Sequence, residues 1–187
     1  MTVQDAIRLR RSIKEFTPRP VTREEIEALL ELAVLAPNHR LTEPLRFHVL
    51  GPAARRRYGE ILGSRKAKKV EDHAAAQALI DKVAAAEDAV PALIAVSMVL
   101  SDNAEVREED YATAMMAVQN LMLGAVAMGL GTHFRSGAVM DDPRTRELVG
   151  VGEGERIVAL VQLGEPAAVP DAKARKPAAE VTRWVGW

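Results

Sequence analysis

The chain has 187 residues and no cysteine, and its 25 basic side chains nearly balance 26 acidic ones for a net charge of -1. That length supports one well-buried core but not two comfortable domains, so residues 1–187 read as a single domain. The missing thiols exclude disulfides, cysteine nucleophiles and sulfur-ligated metals, and the balanced charge gives no global pull towards nucleic acid or an anionic membrane.

In chain order, Thr2 and Asp5 form a weak capping pair opening a short helix, with Val3, Ala6 and Ile7 expected inward. Thr22 with Glu25 is a stronger capping box. The helix it starts places Ile26, Leu29, Leu30 and Ala33 on one face, and Pro37 ends it. Phe47 and Val49 alternate with polar residues in a short strand stopped by Gly51-Pro52, with Phe47 and His48 on opposite faces. Residues 53–88 read as one or two polar helices whose basic run, Arg55 to Lys69, is a solvated face.

Ala92 to Val96 reads as a buried strand, because the apolar run is short and follows Pro91. A long central helix, apolar on most faces, is expected from Tyr111 to Leu130, with Met115, Met116 and Met122 as core filler and Gly129 and Gly131 at its exit. A strand near Thr132–Ser136, a short helix after Pro143 and a strand over Ile157–Leu163 follow. Residues 165–187 read as a C-terminal arm, carrying Trp184 and Trp187 to pack on something. Helices first, then strands separated by unequal helices, favour an α+β layered domain. The N-terminus lacks the apolar run of a secretory signal and no segment reads as a membrane span, so a soluble cytoplasmic protein is expected.

No phosphate-binding loop, nucleophile elbow or histidine pair at metal-binding spacing is present, and His39, His48, His73 and His133 are scattered. An enzyme built this way would borrow cofactor chemistry, with no catalytic side chain and no metal. The informative segment is Arg10-Arg11-Ser12-Ile13-Lys14, three bases and a hydroxyl in a compact anion site. From spacing alone, a solvated basic helix end favoured by the dipole is the simpler reading.

Arg10-Arg11-Ser12 with Phe16 resembles the N-terminal flavin motif of the nitroreductase family. Ala36-Pro37-Asn38-His39 with Glu43-Pro44-Leu45-Arg46-Phe47, the Gly129-to-Gly137 stretch, the Ile157-to-Pro166 strand and Lys173-Ala174-Arg175 before Trp184 resemble its later landmarks, in family order. The similarity is greatest to the short, single-domain bacterial subgroup.

The resemblance implies a nitroreductase-like fold: a central mixed or antiparallel sheet flanked by helices, with the long helix buried at a homodimer interface. It implies FMN as cofactor and NAD(P)H as co-substrate, serving a small electron-poor acceptor in a ping-pong cycle. Arg10, Arg11 and Ser12 would grip the flavin from one subunit, and His39 would reach it from the other. Phe134, Arg135 and Ser136 would line its phosphate and ring edge, Arg175 and Lys173 would be further phosphate contacts, and Gly124 to Gly129 would lie near the nicotinamide nucleotide. Glu43, Leu45 and Leu35 depart from the family pattern, where an amide, a tryptophan and an arginine occur. Two rivals follow from the same residues: a flavin-sequestering protein without turnover, and a nucleic-acid module using Arg55 to Lys69. Charge balance and the lack of interleaved aromatics argue against the second.

Overall fold

In a computed structural model describing residues Met1–Trp187, four strands form one antiparallel sheet ordered β1-β2-β4-β3. They are β1 (Leu45–Leu50), β2 (Ala92–Val99), β3 (Gly131–Arg135) and β4 (Glu155–Gly164). The central pair, β2 and β4, carries the most apolar sequence because both of its faces are covered. Strand periodicity divides the core in two. Ile94, Val96 and Met98 of β2 join Val161 and Leu163 of β4 on one side, whereas Leu93, Ala95 and Leu160 face the other.

The first side is covered by α2 (Arg23–Val34) and α5 (Ala104–Ala127), through Leu29, Ala33, Ala117, Val118 and Leu121. The second is covered by α3 (Pro52–Lys66) and α4 (His73–Asp88), joined by a 3-10 turn at Ala67–Lys69, and by α6 (Pro143–Val149). Gly59 and Gly63 bring α3 onto α4: a Cβ at Gly59 would stand 2.6 Å from the Ala84 Cα. At Gly59 the missing side chain is worth more than the helix propensity it forfeits, about 1 kcal/mol. The arginines of the basic run are engaged rather than free. Arg56 pairs with Asp88, Arg57 with Glu60 and Arg65 with Asp142, and Arg55 donates to the Leu50 and Asp88 carbonyls.

Helix α1 (Val3–Leu9) packs on α5, and both expected capping boxes form, at Thr2 and at Thr22. Only Ala6 of α1 is buried. Val3 and Ile7, expected inward, are exposed, because a seven-residue helix touching a single neighbour buries one narrow stripe. Helix α5 begins seven residues earlier than expected: the Asn103 carboxamide oxygen accepts from the Glu105 and Val106 N–H groups, and Glu105 suits the dipole. It ends at Ala127, and Gly129, at φ +76°, turns the chain into β3. Nor is α5 buried all round, since Tyr111, Ala112, Met116 and Gln119 leave one face open in the single chain. Strand β2 runs on to Val99 and β3 starts at Gly131. No helix is long and apolar enough to cross a membrane. Beyond Pro166 the chain is exposed and extended save for one short helix, α7 (Ala178–Val181); Trp184 and Trp187 pack edge to face on each other at 5.6 Å and stay exposed.

Candidate functional site

The site is built by stapling two basic segments side by side. After α1 the chain extends along the outer edge of β3: the Ile13 N–H donates to the Thr132 carbonyl at 2.9 Å, and Ser12 bridges to Thr132 in parallel. Ile13 is buried and sits where a Cβ on Gly131 would be, 2.5 Å away, so only glycine at 131 admits this approach. The start of the C-terminal arm then pairs with the same segment. Thr17 N–H donates to the Glu165 carbonyl at 2.9 Å, Ala167 N–H to the Glu15 carbonyl at 3.0 Å, and the Thr17 hydroxyl to the Glu165 carboxylate at 2.6 Å.

This pairing sets residues 168–175 opposite residues 7–15 and encloses an open cavity of about 750 Å³. Arg8, Arg10, Arg11, Lys14, Lys173 and Arg175 line it, with Ser12 between them and only Glu15 and Asp171 to oppose them. None of the six cations lies in an ion pair, in contrast to Arg19, Arg40 and Arg144 elsewhere. Two are partly occupied by backbone: Arg11 donates to the Arg8 and Arg10 carbonyls at 2.7 and 2.9 Å where α1 leaves acceptors open, and Arg175 donates to the Lys173 and Ala174 carbonyls at 3.4 and 3.1 Å. A concave wall of unpaired cations in a pocket of this size suits a multiply charged anionic ligand.

Of the residues expected from the sequence, Arg10, Arg11, Ser12 and Arg175 meet at this cavity, and Lys173 and Lys14 join them. Phe134, Arg135, Ser136 and His39 do not line it within one chain. Phe134 faces the α5 side of the sheet. Arg135, one residue on, points to the other side and pairs with the buried Glu87, its guanidinium 6.0 Å from the Tyr58 ring centroid. Glu87 also accepts from Gln162 Nε2 at 2.9 Å, and Gln162 Oε1 lies 3.1 Å from His133 Nδ1. Burial, with Arg135 and Lys14 nearby, pushes the His133 imidazole below its ordinary value and favours its neutral form. Ser136 is exposed just past β3, and His39 is exposed on the α2–β1 loop. Sequence reasoning missed Glu87, Gln162 and Tyr58. The signal for part of this was strand alternation, which sends Phe134 and Arg135 to opposite faces.

A second cluster joins His48 Nε2, Ser97 Oγ and Glu155 Oε2 through two 2.8 Å hydrogen bonds. The serine stands in the middle, gives its only hydrogen to the carboxylate and is fully buried. A nucleophile needs the imidazole as acceptor and access to substrate, so this arrangement is structural.

Residues 7–165 match the Nitroreductase family. Two curated relatives bear the name "Putative NAD(P)H nitroreductase": YfhC of Bacillus subtilis (strain 168), 31% identical over 94% of this chain and 90% of its own length, and YdjA of Escherichia coli (strain K12), 32% identical over 87% and 88%. The crystal structure of a nitroreductase-like family protein from Bacillus cereus superposes with a TM-score of 0.87 at 28% identity, covering 100% of this chain and 97% of that one. A match spanning most of the chain, relatives above 30% identity and a shared α+β fold agree, and the chain belongs to the Nitroreductase family.

Proposed function

We propose that the chain is a cytoplasmic FMN-dependent oxidoreductase that works as a homodimer, taking electrons from NAD(P)H and passing them to a small electron-poor acceptor. The observation that carries this reading is the cavity between residues 7–15 and 168–175, whose cations are left without carboxylate partners. FMN fits that donor set. Its phosphate carries close to two negative charges at neutral pH, and cofactor pockets span roughly 300–1,000 Å³. Arg10, Arg11, Ser12, Lys14, Lys173 and Arg175 would hold the group. When bound, the flavin supplies the two-electron relay that no side chain of this cysteine-free protein offers. The arginines fix its position and favour negative charge on it, and the open mouth admits donor and acceptor in turn, a ping-pong order.

The homodimer reading is supported by where the exposed apolar residues lie. Ile7 of α1, Leu32 and Val34 of α2, Met116 of α5, and Leu35 and Leu41 beyond α2 are all exposed on helices that touch one another or on the loop beside them. A surface of this kind marks an interface, and a second copy would complete each site with His39 of the partner subunit. The relatives' names as NAD(P)H nitroreductases supply the donor.

The test is the purified protein's visible spectrum followed by NAD(P)H addition under nitrogen. A yellow dimer that bleaches, and regains colour with a nitroaromatic or quinone, is the expected result. A yellow protein that NAD(P)H leaves unchanged is a flavin-holding protein instead, and one that takes up no FMN overturns the assignment.

A further inference from the structure

The loop carrying His39 is held in a high-energy backbone shape by a network that runs into α5. Leu41 and Glu43 both have left-handed backbones, φ 50° and 46°, without being glycine. Such residues persist only where their surroundings over-determine them. Here the surroundings are specific. Asn38 Oδ1 accepts from the Glu43 N–H at 2.8 Å, and Asn38 Nδ2 donates to Thr42 Oγ1 at 3.0 Å. Thr42 Oγ1 in turn donates to the carboxylate of Asp110, which is buried on α5. One turn further along, the buried Thr113 donates to the Pro37 carbonyl at 3.0 Å, and next to Asp110, Glu109 pairs with Arg40 at 2.6 Å.

Each flank of His39 is therefore moored to the central helix, while His39 itself stays exposed and makes no hydrogen bond. A loop held only for stability has no need of two left-handed residues. A loop that must present one side chain across an interface gains by being ordered beforehand, because the ordering entropy is then not lost on binding.

We propose that Asn38, Thr42 and Asp110 are positioning residues that hold His39 ready for the cofactor bound to a second copy of the chain. This rests on the reading of His39 as a cofactor contact given under Proposed function. Neither Asn38 nor Thr42 need touch the cofactor. Their effect passes through the loop, so it vanishes when the imidazole is absent.

The experiment is FMN titration into the deflavinated dimer for Thr42→Val, Asn38→Ala and His39→Ala, and for each of the first two combined with His39→Ala. Thr42→Val conserves shape but leaves the buried Asp110 carboxylate without its hydroxyl partner, so it is also made with Asp110→Asn, which removes the stranded charge, and that pair serves if Asn38→Ala fails to fold. Each single loop variant is expected to weaken FMN binding about five- to tenfold, the equivalent of one side chain left to be ordered on binding. In the His39→Ala background the same substitutions are expected to change affinity less than about twofold, since coupled residues are non-additive. Asn38→Asp, which keeps the acceptor for the Glu43 N–H, is expected to recover part of the loss. Equal losses in both backgrounds, or no loss in the single variants, overturn the proposal while leaving the cofactor reading standing. If His39→Ala alone binds FMN as tightly as the parent, the assignment of His39 fails and this proposal with it.

Discussion

The guanidinium of Arg135 pairs with the carboxylate of Glu87, which lies 48 positions earlier in the chain and is 5% exposed. The pair ties β3 to α4 behind the sheet, and Gln162 takes the second Glu87 oxygen. A basic residue that family resemblance assigns to the cofactor is thus engaged with a buried acid on the opposite face. A buried carboxylate keeps its charge only while such partners remain.

Arg135→Ala is accordingly expected to destabilise the protein by roughly 3 kcal/mol, the lower end for breaking a buried pair, since the Arg135 side chain keeps 20% exposure. Combining it with Glu87→Ala should recover part of that loss, because no charge is then stranded. Urea denaturation of the single and double variants decides this. Lower FMN affinity in Arg135→Ala with unchanged stability would mean that the guanidinium serves the cofactor instead.

Tyr58 offers the reverse case. It is fully buried, its hydroxyl has no hydrogen-bond partner, and burial pushes its ionisation up to about 12. Tyr58→Phe is expected to be neutral or stabilising by about 1 kcal/mol at pH 7, because it removes an unpaired buried polar group. The pH dependence follows from the raised value. Below pH 10 neither the folded nor the unfolded state ionises this phenol. Between about pH 10 and 12 only the unfolded chain does, so Tyr58 contributes a loss of stability there that Tyr58→Phe lacks. Thermal melts of both proteins at pH 7 and pH 11 test it, and a destabilised Tyr58→Phe at pH 7 would contradict an unpartnered hydroxyl.

Arg10→Ala removes an unpaired cation from the cavity wall and should weaken FMN binding by about 1.5–3 kcal/mol, or roughly 10- to 150-fold. The oligomeric state should not change, as Arg10 is not part of the apolar surface. Titration of the deflavinated protein, paired with light scattering, measures both. Unchanged affinity would place the cofactor elsewhere.

Glu43 has no cation within ion-pair distance: Arg40 is taken by Glu109 and Glu105, Arg135 by Glu87, and Arg46 donates to the Glu43 carbonyl rather than to its carboxylate. Its charge is therefore not offset locally. On the reading that the His39 loop meets the flavin held by the partner subunit, Glu43→Gln should raise the potential of the bound flavin, because the carboxylate would then oppose negative charge on the reduced ring. A partly screened charge is worth on the order of 1 kcal/mol, or about 20 mV for a two-electron couple. Potentiometry reads this directly, and an unchanged or lower potential rules out a tuning role.

Much of this protein was legible along the chain because local chemistry decided it. The capping boxes at Thr2 and Thr22, the glycine exit at Gly129 and the strand punctuated by Gly51-Pro52 are satisfied within a few residues of themselves. The basic segment from Arg10 to Lys14 could likewise be picked out, because charge and spacing are written in one dimension, whereas Lys173 and Arg175 were singled out only by the family resemblance. That the two segments face each other was decided only by the edge of β3, where backbone groups of residues 13–17 pair with Thr132 and with the start of the arm. The side-chain networks were also out of reach. Glu87 meets Arg135 and Gln162 across 48 and 75 residues, and Thr42 meets Asp110 across 68. Nothing in local propensity distinguishes a solvated Glu or Asp from one that packing will bury against a distant partner. Which face an element buries depends on what the rest of the chain sets against it. That is why Ile7 and Val3 stand exposed on an amphipathic helix, and why Phe134 and Arg135, neighbours in sequence, serve opposite sides of one sheet.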